Sequence, residues 1–150
     1  MIICLSLSLN NPKMITKITG GCHCGNITYE AQADLNKTLI CHCSDCQIMS
    51  GSAFRTIIFV TETQFTHLGR KPKQYIKTAD SGNKRAMNFC EICGSHIYAC
   101  DADETSSAPR IFGIRLGTCD QRASIKPHKQ YYCGSKLPWV DDISGIEITA

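Results

Sequence analysis

The sequence lacks any apolar run approaching the roughly 18 residues of a membrane-spanning helix, so no helical span is expected. It also lacks a block of five or six like charges, and its Lys and Arg residues are scattered. Repeats, low-complexity tracts and a dividing linker are missing as well, which points to one domain. Nor does an export signal open it. In MIICLSLSLNNPKM, residues 2–9 are mostly apolar, but no basic stretch precedes them and no small-residue cleavage site follows. Residues 1–14 therefore read as an edge or frayed extension, Met14 as a natural start, and residues 15–150 as a single domain. Aromatic residues make up only 7%, with one tryptophan, Trp139. Trp139 is expected to anchor the C-terminal segment in the core, a place at a site mouth being the alternative.

Cysteine is abundant. The 11 cysteines among 150 residues fall below the density of a disulfide scaffold. Their odd number, their close pairing and the missing signal point instead to metal ligands in a reducing cytoplasm. The formal charge of +3 is small. Seven thiolates and two Zn²⁺ would bring it to zero, so nucleic acid is not an expected partner.

Alternation governs the rest of the chain. In NITYEA, Ile27, Tyr29 and Ala31 fall on one face of a strand, and AFRTIIFV, KQYIKT, KRAMNF, HIYAC and RIFGIR are further short β-branched or aromatic runs. Turn clusters such as ADSGN and DADETSSAP separate them. The pattern predicts a mainly β domain of about ten short antiparallel strands with very little helix. Only SDCQIMSG and TETQF suggest helical turns, the second capped by Thr61.

Three cysteine groups lie at strand ends: Cys22 and Cys24 in GGCHCG, Cys41, Cys43 and Cys46 in CHCSDCQIMSG, and Cys90 and Cys93 in FCEICGS. The seven divide naturally as four plus three. Two pairs would make a closed structural zinc site, leaving a three-thiolate site with one place open. Cys100, Cys119, Cys133 or a histidine could instead close the second site. A third partition, joining the array to one knuckle cysteine, would orphan a pair. Cys4, Cys100, Cys119 and Cys133 are isolated and read as small buried hydrophobes. His23 and His42 alternate with ligands and so should point away from the metal; His67, His96 and His128 have no visible partner.

GGCHCGNITYEA, CHCSDCQIMSGSAF and NFCEICGSHIY, with weaker matches in IRLGTCDQ, IKPHKQYYC and LPWV, resemble the glutathione-dependent formaldehyde-activating enzyme family, which includes the centromere protein V domain. The resemblance runs from Ile18 to about Val140. It implies a β-tent fold of stacked antiparallel sheets with two zinc ions. Cys22, Cys24, Cys90 and Cys93 match the structural-zinc positions, and Cys41, Cys43 and Cys46 the catalytic ones. It further implies a carbon–sulfur lyase that joins glutathione and formaldehyde as S-(hydroxymethyl)glutathione.

Glutathione's carboxylates need cationic or N–H partners. Arg55 follows the array and is the first candidate, with Ser50, Gly51 and Ser52 as further donors; a solvated strand face is the competing place for Arg55. Ser95 is expected to bond a thiolate or turn backbone. A zinc-stabilised binding module for a protein or nucleic acid, and a redox or metal sensor, are the non-enzymatic alternatives.

Overall fold

The computed structural model describes residues 12–149. The expectation for residues 2–9, and Cys4 with it, lies outside the described residues. Among those described, no helix is long and apolar enough to cross a membrane.

Two sheets make up the fold. In the smaller, β1 (Ile15–Gly21) pairs antiparallel with β2 (Thr28–Asp34), and β5 (Phe65–His67) joins the other edge of β2. The larger contains β3 (Thr38–Cys41), β4 (Arg55–Thr61), β6 (Lys73–Thr78), β7 (Lys84–Phe89), β8 (His96–Asp101), β9 (Ile111–Arg115) and β10 (Lys129–Tyr131). Its order is β10-β3-β4-β9-β8-β7-β6. Helix α1 (Ser44–Ser50) is one short element between β3 and β4. The mainly β, stacked-sheet architecture agrees with the sequence pattern.

Alternation divides the large sheet into two working faces. Ile58 and Val60 of β4, Phe112 and Ile114 of β9, and Tyr98 of β8 turn toward the small sheet and join Ile18, Tyr29 and Ala31 in the main core. Aromatic packing knits the layers: Phe65 lies 5.1 Å from Tyr29 and 5.1 Å from Tyr98, and Tyr98 stacks on Phe112 at 4.3 Å. The opposite face carries Leu39, Cys41, Ile57 and Phe59, a second apolar cluster packed against Cys43 and Cys46. This is the face on which the candidate site forms.

Gly20 of β1 bridges to Cys119, which follows β9 of the large sheet. A Cβ there would stand 2.2 Å from the Thr118 carbonyl oxygen and 2.6 Å from Tyr29 Oη. Only glycine fits.

Four features differ from the expectations. The pairing of β10 with β3 is parallel, so the large sheet is not wholly antiparallel; a long connection returns the chain to that edge in the same direction as β3. Trp139 is 53% exposed in a 3-10 turn (Pro138–Asp141) and does not enter the core. Cys133 is exposed, unlike buried Cys100 and Cys119, because it opens a surface turn after β10. Arg55 is only 5% exposed, so the solvated strand face offered as its competing place is not where it lies.

Candidate metal centres

The three-cysteine cluster follows from local geometry. Cys41 ends β3, Cys43 caps α1 and Cys46 lies in its first turn. An extended i, i+2 step followed by a helical i, i+3 step turns all three side chains to one side. Cys43 Sγ accepts the Cys46 N–H at 3.4 Å and lies 3.5 Å from Cys41 Sγ. At the other end, Gly51 closes α1 in the left-handed conformation at φ 63°.

All three sulfurs lie within 4.8 Å of one another, and no fourth Cys, His, Asp or Glu among the described residues joins them. Cys100 and Cys119 are in the main core, and Tyr29 Oη lies 3.2 Å from Cys119 Sγ. His42 is buried but turns away, its Nε2 donating to Gln130 Oε1 at 2.8 Å. Asp45 is engaged by Lys77. Crowding divides the thiols electrostatically. The neighbouring Cys46 thiol stabilises the Cys41 thiolate and draws it down to about 5, while Cys46, as donor and through burial, is pushed up. Three thiols this close cannot all ionise cheaply without a cation.

The four-cysteine cluster joins two hairpin turns, one from each sheet. Cys22 and Cys24 lie in the β1–β2 turn, closed by Cys22 N–H to the Ile27 carbonyl at 2.9 Å; Cys90 and Cys93 lie in the β7–β8 turn, closed by Gly94 N–H to the Cys90 carbonyl at 2.8 Å. The sulfurs accept bonds from their own turns. Cys22 accepts Ile27 N–H at 3.2 Å, and Cys24 accepts the Asn26 amide at 3.2 Å. Ser95 Oγ lies 3.3 Å from Cys93 Sγ and accepts His23 N–H at 3.1 Å. The Ser95 hydroxyl, ahead of its backbone, draws the Cys93 thiol down to about 5. His23 itself is exposed.

Both clusters can hold a metal ion. Four sulfurs at 2.3 Å from a tetrahedral ion stand ~3.8 Å apart. The separations of 3.5 Å for Cys22–Cys24, 3.7 Å for Cys24–Cys90 and 3.5 Å for Cys41–Cys43 approach that figure. An all-sulfur donor set suits a soft ion and is a poor match for Mg²⁺ or Ca²⁺.

Cys22 of the four-cysteine cluster borders a cavity of about 490 Å³, whereas the three-cysteine cluster opens into a separate cleft of mixed apolar and cationic lining, a cavity of about 300 Å³. One face of the large sheet forms its floor, with small Ala99 and Gly113 making the hollow. Met49 of α1 and Tyr131 and Tyr132 complete its lining. Four cations, Arg55, Lys77, Arg85 and Arg115, line it, with Asp45 the sole acid. Arg115 was not singled out in the sequence, because a strand-end arginine ordinarily reaches solvent. Here it is 8% exposed, and burial followed by repulsion from Arg55 pushes it down to about 9, still charged at neutral pH. Burial also lowers Arg55, with the cluster thiols opposing the shift.

Ser50 and Gly51 stand outside this cavity. Ser50 lines an adjoining hollow of about 380 Å³ that shares Arg55 and Arg115, and its hydroxyl has the Gln47 and Phe54 carbonyls as its two acceptors within reach, at 3.3 and 3.4 Å. Gly51 serves the helix end, and Ser52 N–H bonds the Gln47 carbonyl.

Residues 17–135 match the sequence profile of the glutathione-dependent formaldehyde-activating enzyme family. Among solved structures, the chain is similar to a Rhodobacter sphaeroides protein whose crystal structure came from structural genomics. That likeness has TM-score 0.54 and 15% identity over 75% of this chain and 98% of the other. At that identity it speaks for the fold alone. The search of curated proteins gave no match.

Proposed function

The chain belongs to the glutathione-dependent formaldehyde-activating enzyme family, and on that premise we propose that it is a zinc-dependent enzyme of the carbon–sulfur lyase class. Its substrates are a small thiol such as glutathione and a small aldehyde such as formaldehyde, and its product is the S-(hydroxymethyl) adduct. The observation that carries this reading is that Cys41, Cys43 and Cys46 have no fourth ligand among the described residues and face a cation-lined cavity. Cys22, Cys24, Cys90 and Cys93 have the spacing of a closed structural zinc site. A reducing cytoplasm is the compartment that keeps seven such thiols available, and residues 15–150 form the single domain.

Cys41, Cys43 and Cys46 would hold the zinc ion, and the chemistry it would supply there is to favour the ionised, nucleophilic form of a thiol. The cationic wall, with Arg55 nearest the cluster in sequence, accepts the thiol's carboxylates, whereas Ser50 and Gly51, outside the cavity and with their donors committed to the end of α1, have no part in it. Leu39, Ile57, Phe59 and Met87 give the cavity apolar surface that excludes water from the reacting atoms. Sulfur attacks the carbonyl carbon to form the C–S bond, the C=O π pair moves to oxygen, and a proton from solvent completes the hydroxymethyl group. Reversal breaks the same C–S bond.

Magnitude favours positioning as the main effect. A free thiol of pKa about 8.5 is ~3% ionised at pH 7, so full ionisation gains at most ~30-fold, and lower basicity removes part of that. Holding both reactants together contributes several kcal/mol more.

Cobalt substitution tests the reading. With two cobalt ions per chain, titrated glutathione should change the thiolate-to-metal and d–d bands of one site saturably, and formaldehyde should then be consumed. Four-thiolate spectra at both sites, unmoved by glutathione, would overturn it.

A further inference from the structure

β6 stands at one end of the large sheet, with β7 on one side and no strand on the other. Among the described residues, its backbone makes no backbone hydrogen bond beyond those to β7. Alternate N–H and C=O groups along it therefore point outward, a template for a further strand.

The segment carrying this edge is basic. Residues 68–78 include Arg70, Lys71, Lys73 and Lys77 and no acid. Arg70 and Lys71 belong to none of the ion pairs among the described residues, and Lys73 reaches Glu91 only at 3.6 Å. Apolar surface accompanies the charge, for Leu68, Tyr75 and Ile76 are all exposed.

A second segment has the opposite charge. Residues 141–149, DDISGIEIT, hold Asp141, Asp142 and Glu147 and no base, and they lie beyond the residues 17–135 that match the family. Asp142 and Glu147 are in none of the same ion pairs. Ile143, Ile146 and Ile148 are exposed, Ile148 at 95%. Three isoleucines left in water within so short a stretch mark an interaction segment.

One register satisfies charge and apolar surface together. Side chains alternate along β6, so Lys73, Tyr75 and Lys77 share one face and Gln74, Ile76 and Thr78 the other. Tyr75 pairs with Met87, which lines the three-cysteine cavity, and Ile76 with Ala86 of the main core. Ile146 and Ile148 alternate with Glu147 in the same way. Glu147 placed opposite Tyr75 has its carboxylate between Lys73 and Lys77, while Ile146 and Ile148 fall opposite Gln74 and Ile76. A slip of one residue turns Glu147 toward Ile76 and loses both sets of contacts. A parallel course also brings Asp142 level with Arg70 and Lys71. The edge does not suit a copy of itself, because that pairing gathers Lys73 and Lys77 of both chains on one face.

We propose that residues 146–149 of one copy of this chain add as a strand to the β6 edge of a second copy. Lys77 of β6 lines the three-cysteine cavity and engages Asp45, so the joined edge stands at the rim of that cavity.

Sedimentation velocity on the metal-loaded full chain tests this, together with Ile148→Asp, which spoils the segment, and Ile76→Lys, which spoils the edge. Both side chains are exposed, so each variant should keep the unfolding midpoint of the unsubstituted chain. The unsubstituted chain should associate as its concentration rises, and each variant alone should associate about tenfold or more weakly. An equimolar mixture of the two variants should regain association, because one copy offers a sound edge and the other a sound segment. An excess of a synthetic peptide of residues 141–149 should dissociate the unsubstituted chain, a measurement that needs no variant to fold. A chain that stays monomeric at every concentration overturns the proposal, as does association that the peptide leaves intact. Association weakened by only one variant, or not regained in the mixture, overturns it too, since like surfaces would then be meeting.

Discussion

Tyr131 lies directly across from Cys41 in the parallel pairing of β10 with β3. Its carbonyl accepts the His42 N–H at 3.0 Å, so the C-terminal segment is fastened to the loop carrying the three-cysteine cluster. Gln47 adds two more ties, its amide donating at 2.8 Å to the His42 carbonyl and at 2.8 Å to the Ser135 carbonyl.

Gln47→Ala therefore removes two hydrogen bonds that hold α1, the cluster loop and the C-terminal segment together. Denaturant unfolding should show a loss of about 1 to 2 kcal/mol. Thiol affinity should fall as well, because Tyr131 and Tyr132 line the cavity. A stability change within about 0.3 kcal/mol would mean the ties contribute nothing net.

The two clusters should respond differently to loss of one ligand. Cys46→Ser is expected to leave a folded protein with one metal and no thiol binding. Cys93→Ser, by contrast, should abolish cooperative unfolding, because a structural zinc site is worth an apparent ~10 to 16 kcal/mol, as much as a whole domain's stability. Metal analysis and circular dichroism on both variants distinguish the roles; loss of folding in Cys46→Ser would reverse them.

Tyr132 adopts φ 58°, ψ 44°, a left-handed conformation that costs a residue with a Cβ about 1 to 2 kcal/mol. Tyr132→Gly and Tyr132→Ala lose the same ring, but only glycine relieves the backbone. The glycine variant should be the more stable by roughly 1 kcal/mol in thermal or denaturant unfolding. The opposite order would exclude the left-handed conformation there.

Gly20→Ala must push a methyl into the Thr118 carbonyl, and a destabilisation of about 3 kcal/mol or more is expected. Gly117→Ala is the control, since its added methyl meets no atom within 4 Å. It should change stability by less than about 0.5 kcal/mol. Similar losses in both would exclude the close contact at Gly20 as the cause.

Much of this fold is legible in the chain because local rules and tertiary packing agree. KQYIKT and KRAMNF coincide with β6 and β7, SDCQIMS is α1, and Thr61 heads a capping box with Gln64. The groupings of the seven cysteines by spacing are those found in space. β10 left no such trace, since its three residues are all exposed and show no alternation in burial. Only pairing with β3 makes it a strand. Arg115 was hidden for a different reason. Its burial comes from packing in the seven-stranded sheet, and an arginine at the end of RIFGIR carries no local mark of being enclosed. Trp139 shows the converse, a large ring whose type suggests the core while its turn holds it at the surface.

The placement of the ligands also bears on the order in which the molecule assembles. Cys41, Cys43 and Cys46 are contained in six consecutive residues, so an unfolded chain can already grip a metal with them. Binding to the unfolded state subtracts from the stabilisation that binding to the folded state confers. Cys22 and Cys93 belong to hairpins of different sheets and come together only when a long loop has closed. A metal bound at the four-cysteine cluster would therefore act as a latch on the finished fold, while the three-cysteine cluster could be charged early, before there is a cavity for it to serve.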